Sequence, residues 1–136
     1  MPRVSREQTQ KNRAIIENVS ARLFREQGFN GVSVADLMAA AGLTHGGFYG
    51  HFSSKDELAG VACAAAFEQS SQRRADRTSK HPDPRHALRA TIDHYLGTWH
   101  RDHIGNGCPA VALAGDVARE PAVKPVHQAY TAGVKK

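Results

Sequence analysis

Two stretches of the chain carry residue types that could do chemistry. Between Thr44 and Phe52 the order is Thr44-His45-Gly46-Gly47-Phe48-Tyr49-Gly50-His51-Phe52. Inside a helix each glycine costs roughly 0.8–1 kcal/mol against alanine, so a purely structural helix would rarely carry three. Glycine lets a backbone come close to a partner. Phe48 and Phe52, at i and i+4, suit anchoring to a core, while Thr44, His45, Tyr49 and His51 remain as hydrogen-bonding groups. That combination favours a contact surface over a plain helical corner. The second stretch is His100-x-x-His103 with Asp102 and Cys108 nearby. Two imidazoles at i, i+3 share a helix face and could hold a transition metal. His103 falls where the helix should end, however, and no full ligand set has a recognised spacing, so no metal site is assigned. No base or nucleophile constellation accompanies these residues. No catalytic residue and no cofactor are therefore expected, and the chain reads as a non-enzyme.

The composition is that of an ordinary globular chain: 136 residues, 40% hydrophobic and 23% charged. No apolar run approaches the ~18 residues of a membrane helix, and no secretory apolar segment follows the polar, basic start. Cys63 and Cys108 are too few for a disulfide scaffold and are not a C-x-x-C pair. A soluble, reduced, cytoplasmic protein is the expectation. The formal charge of +5 favours a polyanionic partner. Its excess lies mostly in residues 1–13, where Arg3, Arg6, Lys11 and Arg13 face only Glu7, while residues 14–80 balance to zero. That leading arm is either a phosphate-attracting element or a solvated tail.

Helices must position these groups. Apolar residues recur at three- and four-residue spacings, with no strand-like alternation, so the fold class is all-α. Ile15, Val19 and Leu23, widened by Ile16 and Phe24, predict a first helix from about Lys11 to Gln27, stopped by Gly28. Ser33 with Asp36 is a capping-box pattern opening a short second helix, which Gly42 ends. Thr44 is a good N-cap for a third helix through Phe52. Ser54 with Glu57 starts a long helix toward Arg77, and residues 79–84 break it. Leu88, Ile92, Tyr95, Leu96 and Trp99 form a helical stripe. After a loop, Pro109 starts a helix to about Arg119, and Pro121 and Pro125 introduce another. The second and third helices, joined by a Gly-containing turn, have helix-turn-helix spacing, in which the second element enters the major groove.

The string Gly42-Leu43-Thr44-x-Gly46-Gly47-Phe48-Tyr49-x-His51-Phe52-x-Ser54-Lys55-x-Glu57-Leu58, preceded by Phe24, Gly28, Phe29, Ser33, Val34 and Leu37, resembles the signature of TetR-family transcriptional regulators. The resemblance implies a three-helix DNA-binding head over residues 9–58, with the helix-turn-helix at about 33–52. A linking helix over 59–80 and a partial helical regulatory region over 81–136 would follow. It implies a repressor of transcription that binds a palindromic operator on double-stranded DNA as a homodimer and is released by a small apolar or amphipathic effector. Thr44 would then cap the recognition helix and touch phosphate. His45 and Gly47 would face bases, and Tyr49 and Lys55 would hold phosphates, with Ser33, Val34 and His51 in the same DNA-facing set. The recognition helix has no Arg or Lys, so a bidentate grip on guanine is not available from it. Phosphate attraction must come from the arm, from Lys55 and from helix ends.

Past residue 84 the resemblance continues through Gly107-Cys108-Pro109-Ala110-Val111-Ala112-Leu113-Ala114. It implies an effector pocket, for which Phe67, Tyr95, Trp99 and Cys108 are candidates, with core packing as the competing reading. Cys108 is either a redox-sensing thiol near a helix start or a small buried hydrophobe. A helical metal- or ligand-binding protein without DNA activity is the remaining alternative. The family's dimer is built by two long C-terminal helices, of which only residues 121–136 would be represented. A truncated member, or one that dimerises another way, is therefore expected.

Overall fold

The computed structural model describes residues 5–136; Arg3 of the basic arm lies outside them. Seven α-helices account for most of the described chain: α1 (Arg6–Gln27), α2 (Val34–Ala40), α3 (Lys55–Thr78), α4 (Pro84–Tyr95), α5 (Thr98–Asp102), α6 (Pro109–Arg119) and α7 (Pro125–Val134). Two 3₁₀ segments interrupt them, His45–Gly50 and Ile104–Asn106. No strand occurs among the described residues.

The first helix starts five residues earlier than the periodicity predicts. Ser5 caps it, its hydroxyl accepting from the Gln8 amide at 3.0 Å. From Ser5 onward the arm is therefore helix, not solvated tail. The buried face of α1 is centred on Ile16, Ser20, Leu23 and Phe24, and Ile15 is 41% exposed. Phe24 meets Phe29 edge-on, with ring centroids 5.2 Å apart. Between them Gly28 has φ +80°, a conformation that disfavours any side chain. A Cβ there would also lie 2.8 Å from Asp116 Oδ2, the atom that accepts the Phe29 amide at 3.2 Å. Gly28 thus ends α1 and admits a carboxylate from α6.

The predicted capping box at α2 is present in both directions, Ser33 and Asp36 exchanging bonds of 3.0 Å. Gly42, with φ +74°, turns the chain toward the next element. Ile16, Phe24, Val32, Leu37, Met38, Phe48, Phe52 and Leu58 close over one another as a single core.

α3 runs unbroken from this head into the second half. Its small face, Ala59, Ala62, Cys63 and Ala66, is buried, and Gly60 lets Pro125 approach so closely that a Cβ would meet it at 2.8 Å. Gly133, which weakens α7 by propensity, lies where the Phe67 ring packs and leaves no room for a Cβ. Tyr130 completes that contact, its ring centroid 5.6 Å from that of Phe67. The segment expected to begin a subunit interface is therefore docked along α3. The largest departure is α4–α5. The chain breaks at Leu96-Gly97, and neither helix buries a residue. The predicted stripe faces outward: Leu88 is 61% and Leu96 78% exposed.

Candidate nucleic-acid interface

Three element starts carry the expected DNA-facing residues: Ser33 at α2, the His45–Gly50 segment, and Ser54-Lys55 at α3. The middle element was expected as an α-helix. It closes instead with i→i+3 bonds, Gly47 to the Thr44 carbonyl at 3.2 Å and His51 to that of Phe48 at 2.9 Å. Glycine-rich sequence has little α propensity, and a short run held at its far end by buried aromatics can tighten to 3₁₀. Phe48 and Phe52 are the anchors, 0% and 1% exposed, with ring centroids 5.7 Å apart.

What remains outside is a row of polar groups. Thr44 occupies the N-cap position, but its hydroxyl makes no cap bond, which corrects the capping role and leaves the group free for a partner. His45 is exposed, and Tyr49 is 67% exposed. The Tyr49 ring rests edge-on against Phe48 at 5.1 Å, which fixes its direction. Ser33 is exposed, whereas Val34, His51 and Lys55 are half-buried. Gly47 departs from its expected place: the direction its side chain would take leads to Thr44 Oγ1 (3.5 Å) and Met38 Cε (3.7 Å). Gly46 and Gly50 are the ones that open outward, with nothing within 4 Å of a Cβ. None of the three has positive φ. Neither backbone conformation nor steric crowding inside the chain demands a glycine at Gly46 or Gly50.

Charge around the surface is already sorted. Asp36 is held below the usual carboxylate range by the backbone amide and then the hydroxyl of Ser33, and Glu57 likewise by the hydroxyl and amide of Ser53. Asp56 pairs with Lys124. Lys55 forms no ion pair among the described residues, although its charge helps hold Asp36 down. Arg13 does not serve the arm as expected. It donates to the His51 carbonyl, pairs with Glu17 at 3.1 Å and lies 4.3 Å over the Phe52 ring. It pins the end of the His45–Gly50 segment to α1, a role that no local pattern announces. Arg6 and Lys11 remain on the exposed side of α1.

In the second half the structure gathers three of the four pocket candidates. Tyr95, Trp99 and Cys108 line an open cavity of about 370 Å³ between α3 and the α4–α5 bend. Phe67 lies elsewhere, against Tyr130 and Gly133. Tyr95 (41% exposed) and Trp99 (44%) are not core residues. The facing wall was missed: Arg73, Arg74, Arg77 and Lys80. Averaging charge over residues 14–80 concealed this run, although its near-helical spacing is plain in the sequence.

The cavity floor is tied to the head. Buried Arg25 of α1 donates to the Gly107 carbonyl at 2.8 Å, and Arg73 donates to the Asn106 carbonyl at 2.8 Å. Burial and then Arg73 push the Arg25 guanidinium down to about 10, still a cation at neutral pH. His100 uses both ring nitrogens, Nδ1 with the Tyr95 carbonyl and Nε2 accepting from the Cys108 amide. His103 stacks on Trp99 at 4.4 Å. The pair thus braces the bend, and no cluster of three metal-ligating side chains forms among the described residues. Cys63 is buried, which pushes its thiol up to about 12.

Residues 16–62 match the family described as bacterial regulatory proteins, tetR family. Over 97 residues, 71% of this chain, the sequence is 31% identical to the HTH-type transcriptional regulator AcrR of Shigella flexneri, covering 45% of that protein. Over 58 residues, 43% of this chain, it is 38% identical to the HTH-type transcriptional regulator TtgR of Pseudomonas putida, covering 28% of it. The chain spans less than half the length of these curated relatives. A TetR-family regulator from Cytophaga hutchinsonii, 19% identical, shares the fold with a TM-score of 0.79 over 98% of this chain and 65% of its own. One from Chloroflexus aurantiacus, 27% identical, does so with a TM-score of 0.76 over 95% and 64%. Similarity in sequence over the head, likeness of fold through the later helices, and an exposed glycine-rich segment seated on two buried phenylalanines converge: residues 16–62 are a TetR-family head, and the helices that follow share the fold of TetR-family regulators.

Proposed function

We propose that the chain binds duplex DNA sequence-specifically to regulate transcription, as a cytoplasmic repressor that a small molecule releases. The observation that carries this reading is the His45–Gly50 segment. Its aromatic anchors are buried, its polar groups face solvent, and its glycines answer to no contact within the chain. Such a backbone can approach the floor of a major groove, with His45 at base edges. Thr44, Tyr49 and Lys55 stand where phosphates would pass, and Ser33, Val34 and His51 border them. Two heads about 34 Å apart would read a palindromic operator, so a second copy is part of the proposal. Arg25 and Asp116, which join the head to the cavity floor and to α6, supply the physical link through which an effector would act.

The test is a gel-shift titration with DNA from the protein's own promoter region. Tyr49→Phe and Lys55→Ala should each weaken binding to all sequences, and Lys55→Ala should lower the slope against log salt by about 1. His45→Ala should change which sequence is preferred. Unchanged titrations for all three variants would remove the assignment.

A further inference from the structure

We propose that the cavity between the C-terminal part of α3 and the α4–α5 bend binds a small organic anion bearing an aromatic ring, such as an aryl carboxylate. The proposal names the chemical class of the effector invoked above, and rests on that reading only for the consequence for DNA. At about 370 Å³ the cavity falls within the range of small-molecule sites. Its charge favours the amphipathic over the apolar of the two effector classes that family resemblance suggests.

Arg73, Arg74, Arg77 and Lys80 follow one another at near-helical spacing along one wall, with Asp76 the only carboxylate lining the space. Asp76 already accepts from the Gln72 amide at 3.0 Å. Arg73 is committed to Asn106, but Arg74, Arg77 and Lys80 enter no ion pair among the described residues. Like charges held this close repel one another, and an anion relieves the repulsion. The opposite wall is aromatic. Trp99 lies against His103 on one side and His94, 5.3 Å away, on another, so its ring is braced before any ligand arrives. Burial, then Arg77 and His100, push His94 down, so it is neutral at neutral pH. Burial and the Cys108 thiol push the Tyr95 phenol up to about 12, which keeps it a donor. Cations on one wall and flat rings on the other fit a carboxylate attached to an aromatic ring.

Nucleic-acid phosphate is a poorer occupant. At 1.5 Å rise per residue, Arg77 lies roughly 33 Å along α3 from Lys55, far from a duplex on the head.

Trp99 is the chain's sole tryptophan, so its fluorescence reports on the cavity, and calorimetry gives the stoichiometry. The full chain, without DNA, is titrated with benzoate, benzyl alcohol, cyclohexanecarboxylate and inorganic phosphate. Benzoate should bind at one site, at least about tenfold tighter than each comparator. An Arg74→Gln/Arg77→Gln double variant should lose about tenfold in benzoate affinity while its circular dichroism and Tm are unchanged. Trp99→Leu should weaken benzoate but not phosphate. Benzyl alcohol binding as well as benzoate would replace the proposal with an apolar site, and phosphate binding as well would reduce it to an anion patch. No benzoate binding up to about 10 mM, or full binding by the double variant, also overturns it. Promoter-DNA titrations run separately: DNA binding without benzoate binding defeats this site alone, and benzoate binding without DNA binding defeats the regulatory reading while upholding the site.

Discussion

Phe24, Phe48 and Phe52 in the head are each at most 1% exposed, whereas α4 and α5 bury no residue at all. Both regions expose polar groups, but on different foundations. Tyr49 rides on a buried phenylalanine and Arg13 bolts the segment's end to α1. Tyr95 and Trp99 stand on helices that touch the rest of the chain along one side only, held by His100 and His103. A surface that reads a regular duplex needs fixed geometry. A cavity that admits a ligand needs a wall able to move, and walls with few buried contacts open at low cost.

The sharpest way to break this comparison is truncation on each side. Phe48→Ala should cost about 3–5 kcal/mol in denaturant unfolding, while Leu96→Ala in the bend should stay within about 0.5 kcal/mol. Similar losses at the two sites would show that α4–α5 is as firmly packed as the head.

A smaller effect separates stability from reading. Gly46 has open space at its Cβ position and no positive φ, so Gly46→Ala should raise stability by about 0.4–1 kcal/mol and still weaken DNA binding. A variant both more stable and equally good at binding would mean that the glycine answers to no duplex.

The smallest effect is acid sensitivity. Asp36 and Glu57 both titrate below the usual carboxylate range in the folded head. Their contribution is therefore complete above about pH 4.5 and is lost as pH falls through the lowered values. Thermal melts should show Tm falling below about pH 4, less steeply in an Asp36→Asn/Glu57→Gln variant. Parallel curves would assign the acid limb to groups outside the head.

Much of the head was legible because its signals are local. A serine three residues before an aspartate caps a helix wherever the pair occurs, and Gly28 and Gly42 end helices for reasons contained in their own backbones. A helical element was expected over Thr44–Phe52 and occurs at His45–Gly50, but as a 3₁₀ helix, since the balance between α and 3₁₀ closure depends on where Phe48 and Phe52 are held. In the second half periodicity misled. Leu88, Ile92 and Leu96 are spaced as a buried stripe, yet spacing says only that residues share a face, and no element covers that face among the described residues. Phe67 was grouped with Tyr95 and Trp99 as a pocket candidate on the family resemblance, and packing separates them.

By itself the sequence determined the all-helical class, the helix boundaries set by caps and glycines, and the glycine-rich stretch anchored by Phe48 and Phe52, because each depends on interactions a few residues long. Only the tertiary structure decided that Arg13 is a brace, that Gly133 makes room for Phe67, and that Arg73 to Lys80 confront Tyr95 and Trp99 across a cavity. Those relations join residues far apart in the chain, and which side chains meet there depends on how helices pack, a choice that no local pattern contains.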